Sequence, residues 1–147
     1  MPTGLGFHPF FPHPATATLR AAARALSVAG TEQFPRGSGP IPPEFDFAVG
    51  RLAAHARGLD HCYSGWSGAA SIDWTGARWR VQIAAARLEH LHVYVPDDRD
   101  FFCVEPVSHP LDAFNFTGPG SHPPLALAPG ADLTVAMTIR CEPAAPG

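Results

Sequence analysis

Residues 101–115 read FFCVEPVSHPLDAFN, a short apolar strand that delivers one carboxylate into a proline-rich loop. Pro106 disfavours the α conformation for the residue before it, so we expect Glu105 to be held extended at the strand's end. Alternation along the strand places Glu105 on the same face as Phe101 and Cys103. A carboxylate beside apolar groups loses solvation, which raises its pKa toward the range useful for proton transfer. Local sequence leaves open whether Glu105 is such a group or an ordinary exposed acid, because most acids at strand ends are ordinary.

The composition indicates a single globular domain that is not built for nucleic acid. The chain has 147 residues, of which 46% are hydrophobic and 16% charged, enough to bury a core. A net charge of −3 without a basic stripe argues against nucleic acid and against an anionic membrane surface. No apolar run could span a bilayer, and the N-terminus lacks an export signal. Three widely spaced cysteines favour reduced thiols in a cytoplasmic protein over a disulfide framework.

The many prolines and glycines, together with the hydrophobic periodicity, predict an all-β, antiparallel sandwich. Seventeen prolines and fourteen glycines leave only short segments between them. Strand alternation is clear in residues 78–85, 90–95 and 133–140, and residues 30–43 and 115–129 have loop composition. Residues 15–29 fit a helical stripe and an edge strand equally well. We expect one domain over residues 1–142 and a disordered tail over 143–147.

The N-terminal segment GLGFHPFF, residues 4–11, contains one histidine in an apolar stretch. Pro9 holds His8 extended, so a titratable side chain again precedes a proline. Three other histidines in the chain also precede prolines. The His8-Pro9 dipeptide is therefore as easily explained as a loop residue pair as by a functional role for His8.

Residues 59–68, LDHCYSGWSG, combine a hydrogen-bonding acid with aromatic rings. Sugar sites need this mixture, because the faces of a pyranose ring are apolar and its edges carry hydroxyl groups. A tight turn with a packed tryptophan is the simpler alternative. Farther along, His90 and His92 fall on one side of a strand, but no third ligand has suitable spacing, and we predict no metal site.

Taken together, several motifs in a fixed order resemble the C-terminal half of the aldose 1-epimerase (galactose mutarotase) family, from residue 4 to about residue 140. They are GLGFHPFFP (4–12), FDF (45–47), LDHCYSGWSGAASI (59–72), HLHVYVP (90–96), CVEPVSHPLDAFN (103–115) and LAPG (127–130). The resemblance implies a supersandwich of antiparallel sheets, incomplete here. It also implies an isomerase that interconverts the α and β anomers of free sugars without a cofactor, and it favours strands over residues 15–29.

The resemblance also assigns roles to individual residues. His8 matches the general acid that protonates the ring oxygen, and Glu105 matches the general base that removes the proton of the C1 hydroxyl. Asp60 matches an acid that hydrogen-bonds sugar hydroxyls. The aromatic side chains Phe10, Tyr63 and Trp66 complete the predicted sugar-binding set.

The chain departs from the family by lacking its N-terminal half, which supplies further strands, an arginine and another histidine to the sugar site. We therefore expect either a part of a longer protein or a chain that pairs with a partner, such as a second copy. Three functions remain open at this point. They are anomer exchange on a free hexose or a sugar phosphate, carbohydrate binding without catalysis by a truncated relative, and glycoside hydrolysis with Glu105 and Asp60 as paired carboxylates.

Overall fold

A computed structural model describes residues 1–29, 35–115 and 123–144. Within these ranges the chain forms thirteen strands and two short 3₁₀ helices, Pro43–Phe45 and Ala53–Ala56. The strands are β1 (Pro2–Thr3), β2 (Phe10–Pro12), β3 (Ala17–Ala21), β4 (Ala25–Ala29), β5 (Pro35–Gly39), β6 (Arg51–Leu52), β7 (Leu59–Ser64), β8 (Ala69–Trp74), β9 (Trp79–Ala86), β10 (His90–Val95), β11 (Phe101–Val107), β12 (Leu125–Ala126) and β13 (Ala136–Pro143). Among the described residues, no helix is long and apolar enough to cross a membrane.

The strands form two large antiparallel sheets. The six-stranded sheet has the order β2-β11-β10-β7-β4-β5, and the five-stranded sheet has the order β13-β9-β8-β3-β6. The remaining pair, β1 with β12, forms a small separate ladder. All strand pairs are antiparallel in the described residues. The prediction of an all-β, antiparallel architecture is confirmed.

The hydrophobic core lies between the two large sheets and contains side chains from both. Every second residue of β10, namely Leu91, Val93 and Val95, is at most 1% exposed. From the five-stranded sheet, Leu19 and Ile72 meet them in the same core. Because alternate residues point to opposite faces, the intervening residues of β10 are carried on the outer face of the six-stranded sheet. That face holds the site described below.

Residues 15–29 form two strands, β3 and β4, as the family resemblance implied. Ala17, Leu19 and Ala21 are all buried, which is the period-two pattern of a strand with one face in the core. Both strands are interior to their sheets, which corrects the edge strand inferred from alternation. Helix propensity is a weak preference, and burial of the alternate side chains between two sheets outweighs it.

The strand that contains Glu105 does not end there. β11 continues through Pro106 to Val107, which corrects the prediction of a strand-end acid. The carbonyl of Pro106 accepts a hydrogen bond from the Phe7 N–H at 2.9 Å. In an extended strand the nitrogen and the carbonyl oxygen of one residue point to the same side, so the ring nitrogen of Pro106 faces away from β10. The proline is therefore tolerated inside the strand without loss of a ladder hydrogen bond.

Several predicted boundaries are corrected. β5 lies within the stretch 30–43 that has loop composition, and Pro35 is acceptable there because β5 is an edge strand. The last strand begins at Ala136 rather than at residue 133, and it continues to Pro143, which pairs with Trp79. The other predicted loop and tail residues at 30–34, 116–122 and 145–147 lie outside the described residues.

Candidate active site

A cavity of about 580 Å³ opens on the outer face of the six-stranded sheet. Strands β7, β10 and β11 provide its floor, and Val107 with residues 109–114 lines one side. This volume falls in the usual range for small-molecule sites. The polar side chains that line it are His8, Asp60, His92, Tyr94, Glu105, His109 and Asp112.

Cross-strand register gathers the polar side chains of the floor. His92 on β10 is paired with Glu105 on β11 and with Cys62 on β7. Tyr94 is likewise paired with Asp60. Directly paired residues point to the same face of a sheet, so residues far apart in sequence project into one cavity.

Glu105 is nearly buried at the cavity floor. Its residue is only 8% exposed, and burial raises the pKa of its carboxyl from 4.5 to about 7, with the negative charge of Asp60 as a second cause. Of the two alternatives that the sequence left open for Glu105, a desolvated acid and an ordinary exposed one, the structure has the desolvated acid. A carboxyl with a pKa near 7 exchanges its proton readily at neutral pH, which suits general acid–base chemistry.

His8 lies beside Glu105, although 97 positions of sequence separate the two residues. Its Nε2 is 3.5 Å from Glu105 Oε1, longer than an ordinary hydrogen bond but within reach of the same small ligand. The ring of Phe10 stacks on the His8 imidazole, with centroids 4.8 Å apart and planes 7° from parallel. The His8 side chain is 58% exposed, so it reaches the cavity from the solvent side. The structure thus brings together the two residues predicted to act as acid and base.

Asp60 is held at the cavity by a hydrogen bond that the sequence did not reveal. Its Oδ1 lies 2.7 Å from His92 Nε2, while its side chain remains 42% exposed. Burial lowers the pKa of His92, and the Asp60 hydrogen bond opposes that shift in part. The neighbouring His90 contacts Ser64 Oγ through Nδ1 at 3.0 Å, so the two histidines of the strand have different partners.

Two predicted sugar contacts, Tyr63 and Trp66, belong to the core instead. Tyr63 is 3% exposed and donates its hydroxyl to the Phe45 carbonyl at 2.8 Å, and Trp66 is 5% exposed. Tyr63 is an odd number of positions from Asp60 on the same strand, so the two side chains point to opposite faces. We therefore remove Tyr63 and Trp66 from the candidate site. Phe10 remains beside it, through its stack on His8.

The core assignment of Tyr63 is testable with Tyr63→Phe. Loss of the hydroxyl leaves the Phe45 carbonyl without its donor, and we expect the free energy of unfolding to fall by about 1 kcal/mol. Sugar affinity should not change, since the ring faces away from the cavity. Urea unfolding and a sugar titration on the same variant measure both quantities. Weaker sugar binding at unchanged stability would contradict the core assignment.

His8, Cys103 and Glu105 together offer three potential metal ligands. Their ligand atoms lie within 4.8 Å of one another. A metal would bind the cysteine as thiolate, and burial raises the pKa of the unbound Cys103 thiol to about 12, so binding would have to displace its proton. His8 and Glu105 are also the two residues predicted to act as acid and base. In this cluster His8 and Glu105 face each other, and the buried Cys103 thiol is close to both.

The loop that forms the side of the cavity was not predicted from the sequence. His109 lines the cavity, its Nδ1 contacts Ser108 Oγ at 3.1 Å, and its ring meets Phe114 edge-on. Gly4 lies so close to this ring that a Cβ there would overlap it. The one sequence signal for this loop was the dipeptide His109-Pro110. It was uninformative, because other histidines in the chain also precede prolines.

Comparisons with known proteins agree with this architecture. A model of the aldose 1-epimerase family matches residues 1–140. The uncharacterized protein YphB of Escherichia coli K12 is 29% identical over 152 residues, a match that covers 97% of this chain and 51% of that protein.

Two crystal structures share the fold over nearly the whole chain. An Escherichia coli K12 protein, provisionally assigned as an aldose 1-epimerase, superposes with a TM-score of 0.86 at 26% identity, covering 98% of this chain and 52% of that one. A galactose mutarotase-like protein from Clostridium acetobutylicum superposes with a TM-score of 0.76 at 15% identity, covering 98% and 48%. The predicted galactose mutarotase-like fold is confirmed. The chain spans about half the length of these relatives.

Proposed function

The chain belongs to the aldose 1-epimerase family, and on that premise we propose that it interconverts the α and β anomers of a free hexose by acid–base ring opening. The observation that carries the proposal is the pairing of His8 with Glu105, 3.5 Å apart at one cavity. Ring opening takes a proton from the C1 hydroxyl oxygen and gives one to the ring oxygen. Both oxygens are bonded to C1, so the acid and the base must lie side by side.

The reaction proceeds in two matched halves. Glu105 removes the proton of the C1 hydroxyl while the C1–O5 bond breaks, and His8 delivers its proton to O5, leaving an aldehyde at C1. After rotation about the C1–C2 bond, the O5 hydroxyl attacks the other face of the aldehyde. His8 then recovers a proton from O5, and Glu105 returns one to O1. Asp60 accepts hydrogen bonds from sugar hydroxyls and holds the ring in place.

The charge of the cavity favours a neutral sugar over a phosphorylated one. Three carboxylate side chains line it, from Asp60, Glu105 and Asp112. Among the described lining residues there is no lysine or arginine to receive a phosphate. A dianionic phosphate would be repelled by these groups at short range. We therefore propose an unphosphorylated hexose as the substrate class.

The rate of anomer exchange should depend on the ionisation of Glu105. A general base acts only when deprotonated, and the pKa of Glu105 is raised to about 7. We expect kcat/KM to fall about tenfold for each pH unit below that value, because the ionised fraction falls tenfold. A pH profile of kcat/KM measures this, and a rate independent of pH between 5 and 7 would contradict the role of Glu105.

Carbohydrate binding without catalysis is the second candidate, because the chain spans only about half the length of its relatives. In that case the cavity binds sugar, but the part of the relatives that this chain does not span holds some of the catalytic machinery. Two measurements on one folded sample separate the candidates: sugar titration for binding, and NMR exchange spectroscopy between the two anomeric protons of glucose at equilibrium for turnover. Binding with faster exchange supports the epimerase. Binding with exchange at the buffer rate supports the second candidate instead.

A further inference from the structure

His92 occupies the centre of the cavity floor. It is paired across the sheet with Glu105 on one side and with Cys62 on the other. The residue is 8% exposed, yet its side chain lines the cavity. The mechanism above does not use it, and the resemblance to the family assigned it no role.

The hydrogen bond between His92 and Asp60 fixes the tautomer of the ring. A carboxylate only accepts hydrogen bonds, so the proton between His92 Nε2 and Asp60 Oδ1 is carried by Nε2, at a separation of 2.7 Å. Since burial favours the neutral ring, Nδ1 is then a bare acceptor. Nδ1 is buried and has no hydrogen-bond partner among the described residues.

A purely structural role explains this arrangement poorly. Within the described residues the ring's only hydrogen bond is to Asp60, and an apolar side chain would fill the same volume without it. Asp60 does not need His92 for solvation either, because 42% of its side chain is exposed. The hydrogen bond from His92 instead sets the orientation of the Asp60 carboxylate. By engaging Oδ1 it fixes the carboxylate plane, and within the described residues Oδ2 has no hydrogen-bond partner and is free to accept from a ligand in the cavity.

We propose that His92 is a positioning residue that orients the Asp60 carboxylate toward a bound sugar through its Nε2–H. This inference rests on the proposed use of the cavity for a hexose. It extends that function by adding a residue that does not itself touch the substrate. Because sugar hydroxyls bind Asp60 in the ground state and in the transition state alike, His92 should affect KM rather than kcat.

Three substitutions at one position separate positioning from packing. In His92→Gln the amide nitrogen can reach the place of Nε2, whereas in His92→Asn it reaches only the place of Nδ1. His92→Leu removes both nitrogens and keeps an apolar volume. We expect Leu and Asn to weaken sugar affinity and raise KM by about 3- to 10-fold, the value of one hydrogen bond. Gln should stay near wild type, kcat should be nearly constant, and the melting temperature of His92→Leu should not fall.

The inference is overturned if His92→Gln binds sugar as weakly as His92→Leu does, or if His92→Leu leaves sugar affinity and KM unchanged. If His92→Leu fails to fold, the pair of Gln and Asn decides, since both are polar and differ in reach. A readout independent of sugar is the imidazole ¹⁵N NMR spectrum of the wild-type protein. It should show the proton on Nε2, and a proton on Nδ1 would refute the inference.

These outcomes differ from a failure of the proposed function. If the wild-type protein binds sugar but shows no anomer exchange, the epimerase proposal fails while the affinity series at position 92 still tests His92. If the NMR spectrum shows Nδ1–H in an active enzyme, His92 loses its role and the proposed function stands.

Discussion

Glu105→Gln is expected to slow anomer exchange by on the order of 10²- to 10⁴-fold, the usual loss when a general base is removed. Glutamine keeps the size of the side chain and its carbonyl oxygen, but it cannot take a proton from the C1 hydroxyl. Sugar affinity should change little, because Asp60 and the cavity walls remain. Initial rates by polarimetry and affinity by titration measure the two effects. An exchange rate close to that of wild type would refute the assignment of Glu105 as base.

The same substitution should stabilise the fold above neutral pH. The pKa of Glu105 in the folded state, about 7, lies above its ordinary value of 4.5. Between those values the folded state binds more protons than the unfolded state, so the contribution of Glu105 to stability is lost as pH rises through 7. At pH 8 its ionised form costs on the order of 3 kcal/mol, which glutamine removes.

The matched control is Glu142→Gln. This substitution makes the same change in formal charge as Glu105→Gln. Glu142, however, is exposed on the edge strand β13 and does not line the cavity. We expect it to leave both the exchange rate and the stability unchanged. A gain in stability at pH 8 for Glu105→Gln alone, together with loss of exchange, would identify a buried functional acid.

His8→Asn is expected to lower the exchange rate by a similar factor, on the order of 10²- to 10⁴-fold, because the ring oxygen loses its proton donor. The melting temperature should hold, since the His8 side chain is 58% exposed and its contacts are the Phe10 stack and the approach to Glu105. Polarimetry and thermal unfolding on one preparation measure the rate and the stability.

His13→Asn is the control for His8→Asn. His13 also precedes a proline, and it is exposed, paired with Asp100 at 2.8 Å and outside the cavity lining. Its φ of +56° lies in the left-handed region, which asparagine tolerates well. Equal losses in the two variants would mean that His8 has no specific role in proton transfer.

Much of the architecture could be predicted because strands with one face in the core have hydrophobic residues at every second position. Leu91, Val93 and Val95 alternate with His92 and Tyr94, and the structure separates the two sets onto opposite faces. The same rule applied to β11 predicted that Glu105 shares a face with Cys103, but it left open whether the carboxyl is buried. Residues 15–29 could not be settled locally, because alanine and leucine fit either period and only the neighbouring strands decide.

The aromatic residues of the site were harder to predict than its charged residues. Asp60 and Tyr63 are close in sequence, but odd spacing on one strand sends them to opposite faces. From their proximity in sequence both residues are expected at one site, but their positions along the strand place them on opposite faces of the sheet. The bond between Asp60 and His92 joins strands β7 and β10, and no local pattern encodes which residues two strands place side by side.

The central claim is that this chain carries a working acid and base for anomer exchange. The direct test is polarimetry of freshly dissolved α-D-glucose and α-D-galactose with the purified, folded chain, with Glu105→Gln in parallel. We expect the optical rotation to reach equilibrium faster than in buffer, and this acceleration to disappear in Glu105→Gln. No acceleration by the wild-type chain, or the same acceleration in both proteins, would contradict the claim.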